Sequence, residues 1–203
     1  MQKLDLKKQF KQLYAPRPGR MEFVDVPTLS YLMVDGHGDP NTSKEYSDAV
    51  EALFSFAYTL KFSLKKSPAP VDWGVMPLEG LWWADDPQVF HTTDKSTWQW
   101  TAMILQPEVV DRTKFEAAVV EVRRKKNPPA LDRVRLATLE EEKAVQVLYT
   151  GPYADEGPVI QQMHHTIHAK GHELAGKHHE IYLSDPRRTA PEKLKTIIRQ
   201  PYN

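Results

Sequence analysis

GPYADEGPVIQQMHHTIHAKGHELAGKHHEIYLSDPRRTAPEKLKTIIRQP, residues 151–201, is the stretch whose reading decides the fold. Gly151-Pro152 stops whatever precedes it. Val159, Ile160, Met163 and Ile167 then recur at helical spacing, which predicts a helix over 155–170 with these four side chains turned inward. HHEIYLSDP follows as a strand ended by Asp185-Pro186, and LKTIIRQP as a second strand ended by Pro201. Upstream, RVRLATLEEEKAVQVLYT supplies one or two strands running up to Gly151. The grammar is strand, helix, strand, strand.

The first half repeats it. LSYLMV, residues 29–34, reads as a strand halted by Gly36, Gly38 and Pro40. Asn41, Thr42 or Ser43 can cap the helix that follows, which runs to about Phe62. Ala49, Leu53, Phe56, Ala57 and Leu60 form one stripe on it and Tyr46, Val50, Phe54 and Tyr58 a second, a wide apolar face suited to lying across a sheet. WGVMPLEGLWWADDP and STWQWTAMILQP are the next strands, the latter alternating Trp98, Trp100 and Ala102 on one face. Asp111 or Thr113 can open a helix through Phe115, Val119 and Val122 that ends in RRKK before Asn127-Pro128-Pro129, the seam between the halves.

Short motifs recur as well. Glu79, followed by aromatics, an acid and Pro87, parallels Glu180, followed by Tyr182, Asp185 and Pro186; ILQP closes one half and IRQP the other. An internal duplication follows, and it predicts an α+β fold with antiparallel pairing between adjacent strands and helices on one face. Two half-sheets side by side would leave a concave groove with the helices on the other face, a usual place for a small-molecule pocket. The expected boundaries are an N-terminal arm over 1–22 and one domain over 23–203 made of two pseudo-repeats, about 23–127 and 130–203.

Composition narrows the function. In 203 residues, 27 Lys and Arg cancel 27 Asp and Glu, so the basic excess of a phosphate-binding domain is absent and no nucleic-acid partner is expected. Cysteine is absent, which excludes disulfides, thiolate metal sites and a Cys nucleophile. MQKLDLKKQFKQLY is charged throughout and does not read as a secretory signal, and the apolar runs are too short for a membrane span, so a cytoplasmic protein without membrane attachment is expected. About twenty residues precede the first expected strand, too few for a helix-turn-helix domain, so a free-standing protein is expected.

Few residues suggest chemistry. Glu180 sits mid-strand between His179 and Ile181, and alternation places His178, Glu180 and Tyr182 on one face; the carboxylate either faces a pocket or is an ion-paired group facing water. Trp82, Trp83, Trp98 and Trp100 are aromatic walls or plain core, with Trp82 and Trp83 pointing to opposite sides. Phe54, Tyr58, Tyr149 and Tyr153 can complete a cage or serve as packing. His164 and His168 are one helical turn apart, a spacing open to Zn²⁺, but HExxH is absent and a solvated helix face accounts for them; no metal or other cofactor is expected. Gly36-His37-Gly38 lacks the rest of a nucleotide fingerprint.

YLMVDGHGDPNTSKEYSDAVEALFSFAYTLKF, the Trp-rich middle and the 151–201 stretch resemble the GyrI-like small-molecule-binding family from about Tyr14 onward, most specifically over HHEIYLSDPRRTAPEKLKTIIRQP. The resemblance implies the tandem α+β module, shared by effector-binding halves of multidrug-responsive regulators and by stand-alone toxin binders. It also implies a carboxylate at the floor of the ligand cavity, at Glu180. EIYLSDP and the tryptophans are similar to the subfamily of cyclopropanoid cyclopropyl hydrolases, which implies an aromatic cage and hydrolysis of the cyclopropane ring of DNA-alkylating natural products. Glu180 would then orient or deprotonate water, while Tyr182, Tyr58 or a histidine donates to the oxygen that gains charge. Trp82, Trp98, Trp100, Phe54, Tyr58, Glu79, Tyr149 and His178 would surround an aromatic or cationic ligand, in a monomer or weak dimer. A non-catalytic drug-sequestering protein and an interaction module of the gyrase-inhibitor type remain as alternatives.

Overall fold

Strand and helix boundaries follow the local signals closely. A computed structural model describes residues 1–85 and 95–203; Pro87, part of the motif parallel, lies outside them. In chain order the elements are β1 (Gln2–Leu4), α1 (Leu6–Gln9), α2 (Lys11–Tyr14), β2 (Glu22–Val26), β3 (Leu29–His37), α3 (Lys44–Lys65), β4 (Val71–Trp73), β5 (Glu79–Trp83), β6 (Gln99–Gln106), α4 (Arg112–Lys125), β7 (Arg135–Leu139), β8 (Glu142–Thr150), α5 (Gly157–Ala169), β9 (His178–Tyr182) and β10 (Lys195–Pro201). Ser43 is the cap of α3, its hydroxyl accepting from the Tyr46 N–H, and Asp111 caps α4 by accepting from the Lys114 N–H. No helix among the described residues is long and apolar enough to cross a membrane.

Two compact units emerge. The first comprises Met1–Gln9, Leu29–Leu78 and Trp82–Leu139; the second comprises Phe10–Thr28, Glu79–Leu81 and Glu140–Asn203. In the first, β3 pairs antiparallel with β6 from Ser30↔Gln106 to His37↔Gln99, the Trp82–Trp83 end of β5 follows β6 in the strand order, and β7 pairs with the other side of β3. In the second, β10 pairs antiparallel with β8 and with β9, and β2 pairs with the outer side of β8. The orders β3-β6-β5 and β8-β10-β9 are the same module twice, the α+β architecture expected. β2 precedes the first module in sequence yet pairs in the second unit, and β7 precedes the second module yet pairs in the first. MEFVDV did not read as a strand because it is short and bounded by prolines rather than by a second alternating run.

Each unit buries a helix on its sheet. In the first, α3 turns Ala49, Leu53, Phe56, Ala57 and Leu60 inward, and Phe56 stacks on Phe115 of α4 at 5.2 Å between centroids. Gly36 lies opposite Trp100, and a Cβ on Gly36 would overlap the six-membered ring of that indole. In the second, Met163 and Ile167 of α5 pack on Val145, Val147 and Ile198, with Val159 and Ile160 beside them.

Candidate functional site

β9 is short, and its alternation divides two different chemistries between its faces. Ile198, in the α5-covered cluster, lies directly opposite Glu180, so Glu180 shares the α5 side of the sheet rather than the helix-free side expected for the groove. His178 and Tyr182 share that face. The Tyr182 hydroxyl donates to Glu180 Oε2 at 2.7 Å, and His178 Nε2 lies 3.1 Å from Oε1, where it must carry the proton because an ionised carboxylate only accepts. The Glu180 and His178 side chains retain 14 % and 12 % of their exposure. Tyr153, in the turn before α5, sets its ring edge-to-face on Tyr182 at 5.6 Å. Burial first, and then the carboxylates of Glu156, Glu180 and Asp185, push the Tyr153 hydroxyl up to about 12, so it stays a neutral phenol. Tyr149 and Tyr182 both lie opposite Thr196, extending this row of phenols; the Tyr149 hydroxyl donates to the Pro152 carbonyl at 3.2 Å.

A largely buried carboxylate held by Tyr182 and His178 beside aromatic rings can attract a cation or take a proton from water.

The opposite face of β9 carries His179, fully buried. Its Nδ1 lies 2.9 Å from Glu141 Oε1 and its Nε2 2.9 Å from Glu79 Oε2. Both ring nitrogens face carboxylates, so both carry protons and the ring is an imidazolium. Burial opposes that charge, but the Glu141 charge and hydrogen bond and the Glu79 hydrogen bond outweigh it and raise the ring to about 9. Burial likewise opposes ionisation of Glu141, but His179 and then Arg199 overcome it and hold that carboxyl at about 2. Arg199 Nη1 reaches Glu141 Oε2 at 3.2 Å, Nε and Nη2 reach Gln146 Oε1, and Nη2 also donates to the Leu13 carbonyl of α2. The Tyr14 hydroxyl closes the chain on Glu79 Oε1 at 2.6 Å.

Stability should therefore depend on pH at both ends. The His179 contribution is complete below its unfolded value near 6.5 and is lost as pH rises through about 9. The Glu141 contribution is complete above about 4.5 and is lost as pH falls towards 2. Chemical denaturation across pH should show a plateau from about 4.5 to 6.5 and a loss on the order of 3 kcal/mol by pH 10, the contact being counted once for both partners. A flat profile from pH 6 to 10 would contradict the imidazolium.

The expected ligand residues are distributed unevenly. Glu180, Tyr182, His178 and Tyr149 lie together in the second unit. Glu79, expected beside a ligand, is fully buried with its oxygens engaged by Tyr14 and His179. In the first unit the Tyr46 ring joins Trp100 at 5.0 Å and Trp82 at 5.8 Å, and Trp82 meets Trp98 at 5.9 Å, so three of the expected tryptophans form one cluster. Trp100 within it is fully buried, and Lys95 Nζ lies 4.7 Å above Trp98. Phe54 and Tyr58 stack in a row with Phe62 along α3, where Tyr58 and Phe62 are each 48 % exposed.

The ionic chain of His179, Glu141, Arg199, Gln146 and Tyr14 was not anticipated. A signal was present: alternation puts His179 with Ile181, and a charge on an apolar strand face needs a buried partner. Which carboxylates supply it depends on contacts distant in sequence.

The model of the GyrI-like small molecule binding domain matches residues 20–202. An uncharacterized conserved protein from Listeria innocua is 39 % identical, with 98 % of this chain and all of that one aligned and a TM-score of 0.91. A hydrolase from the same organism is 38 % identical over 98 % of this chain and all of its own, at a TM-score of 0.87. A hydrolase encoded by lin2189, also from Listeria innocua, is 38 % identical over the whole of both chains, at 0.89. No curated protein matches. With its fold and nearly its whole length accounted for in this way, the chain belongs to the GyrI-like small-molecule-binding family.

Proposed function

We propose that this small-molecule-binding protein is a cytoplasmic hydrolase of electrophilic aromatic xenobiotics, opening the cyclopropane ring of DNA-alkylating cyclopropanoids and so detoxifying them. The observation that carries the reading is Glu180, a largely buried carboxylate oriented by Tyr182 and His178 beside the Tyr153 ring. The 38 % identical Listeria proteins described as hydrolases support the reaction class.

Glu180 takes a proton from one water as its oxygen bonds to the strained ring carbon. The carbon–carbon bond breaks, its electron pair passes into the conjugated carbonyl, and that oxygen is protonated, so substrate plus one water gives one ring-opened phenol. Tyr182, once its single hydroxyl proton turns from Glu180 to the ligand, or a histidine donates to the oxygen as charge develops there. The protein's part is to hold the ring and the water in line and to keep the base where its proton affinity is useful.

Incubation with a cyclopropanoid alkylator should yield a product heavier by one water. Glu180→Gln should reduce turnover by about 10² to 10⁴-fold, the usual range for a general base. Tyr182→Phe should reduce it by about tenfold, the scale of a hydrogen bond to a charged group. Binding without turnover would leave the second reading, a sequestering protein, which the family's small-molecule-binding character favours. Within the first unit Trp82 and Trp98 are proposed as an aromatic stacking surface of their own; a flat aromatic ligand should quench tryptophan emission there, and Trp98→Ala should remove part of the quenching.

A further inference from the structure

His179 and Arg199 are directly opposite each other on β9 and β10. Two like charges at directly opposed strand positions repel, and here both are fully buried. Glu141 resolves the conflict by giving one oxygen to each. Glu79 takes the remaining imidazole N–H, so the four groups sum to zero charge, with two cations and two anions. Tyr14 ends the chain on Glu79, while Gln146 and the Leu13 carbonyl complete the guanidinium.

This arrangement tolerates one register only. Moving β9 by one residue against β10 would turn the His179 ring onto the α5 side, among Val147, Met163 and Ile198, and would turn Glu180 into the ionic side. Neither charge would then have its partner, and a buried charge without one is among the costliest defects a core can carry. β9 is only five residues long, so each of its pairings weighs heavily in its register.

We propose that His179 is a positioning residue: held between Glu79 and Glu141, it sets the register of β9 and thereby keeps Glu180 on the ligand-facing side. The proposal rests on the reading of Glu180 as the ligand-site carboxylate. It places a requirement on residues that touch no ligand, since Glu79, Glu141 and Arg199 act on Glu180 only through the β9 backbone.

A double-mutant cycle tests it. Ethidium, a flat aromatic cation, is titrated by fluorescence against the full-length protein, Glu180→Gln, His179→Gln and the double variant, with thermal midpoints measured in parallel. In the native background Glu180→Gln should weaken ethidium binding about tenfold or more. In the His179→Gln background the same change should cost less than about twofold, because Glu180 is no longer held at the site. A role limited to stability would lower the midpoint of His179→Gln yet leave the Glu180→Gln factor equal in both backgrounds, and that result overturns the proposal while sparing the reading of Glu180. No effect of Glu180→Gln in either background removes that reading and the positioning role with it. If His179→Gln does not fold, the charge-balanced Glu79→Gln/His179→Gln pair, which leaves Glu141 with Arg199 and keeps an acceptor for Tyr14, replaces it in the same cycle.

Discussion

Glu141→Gln is expected to lower the thermal midpoint by about 6–20 °C. Removing one partner from a buried ion cluster costs about 3–5 kcal/mol, because the charges left behind keep their desolvation cost without compensation. For a chain of this length each kcal/mol corresponds to about 2–4 °C. Here the loss leaves Arg199 and the His179 ring opposed across two strands, fully buried, with Glu79 alone to offset them. The variant should also lose most of the stability change through pH 9, since the ring is charged chiefly because of Glu141. Glu140→Gln, one residue away and exposed, is the control and should move the midpoint by less than about 2 °C. Calorimetry from pH 5 to 10 reads both; equal midpoints for the two variants would mean that Glu141 is not the counterion described.

Trp100→Ala is expected to cost about 3–5 kcal/mol, the range for emptying a buried aromatic site. The indole is fully buried, meets the Tyr46 ring edge-on, and spreads its six-membered ring over Gly36 on the paired strand. Gly36→Ala attacks the same contact from the other side. The added methyl would occupy space the indole fills, and because both partners lie in a tightly packed sheet the overlap should cost about 1–3 kcal/mol. The two effects should not add. With Trp100→Leu in place the methyl has room, so Gly36→Ala should become nearly neutral, and urea denaturation of the four proteins reads the coupling. Full additivity would place the ring elsewhere.

These two sites show how far local sequence can be read. Gly36 reads locally as a strand terminator, but β3 runs through it to His37, three residues past the expected end at Val34, so the first role read for it is not the one it plays. Its role as a floor for an aromatic ring requires knowing that β6 lies opposite in the register that pairs Gly36 with Trp100. The Glu180 face was legible because a strand has period two, so naming one residue of His178, Glu180 and Tyr182 names the others. Glu79 shows where that reasoning stops. A motif parallel matched it to Glu180, yet the structure turns it to His179 in the ionic chain, because a side chain's face depends on the position of its strand relative to partners and not on the letters that follow it.

The sequence by itself determined the repeated strand, helix, strand, strand order, short sets of cap candidates that include Ser43 and Asp111, and the grouping of His178, Glu180 and Tyr182 on one face of β9. All of these follow from periodicity and from hydrogen bonds within a few residues. Only the tertiary structure decided that β2 and β7 each pair with the module they do not precede, that Glu79, Glu141 and Arg199 converge on His179, and that Trp82, Trp98 and Trp100 meet around Tyr46. The physical reason is common to all three. Burial makes a charge or an indole depend on whichever group can reach it, and chain folding chooses that group from residues tens to more than a hundred positions away.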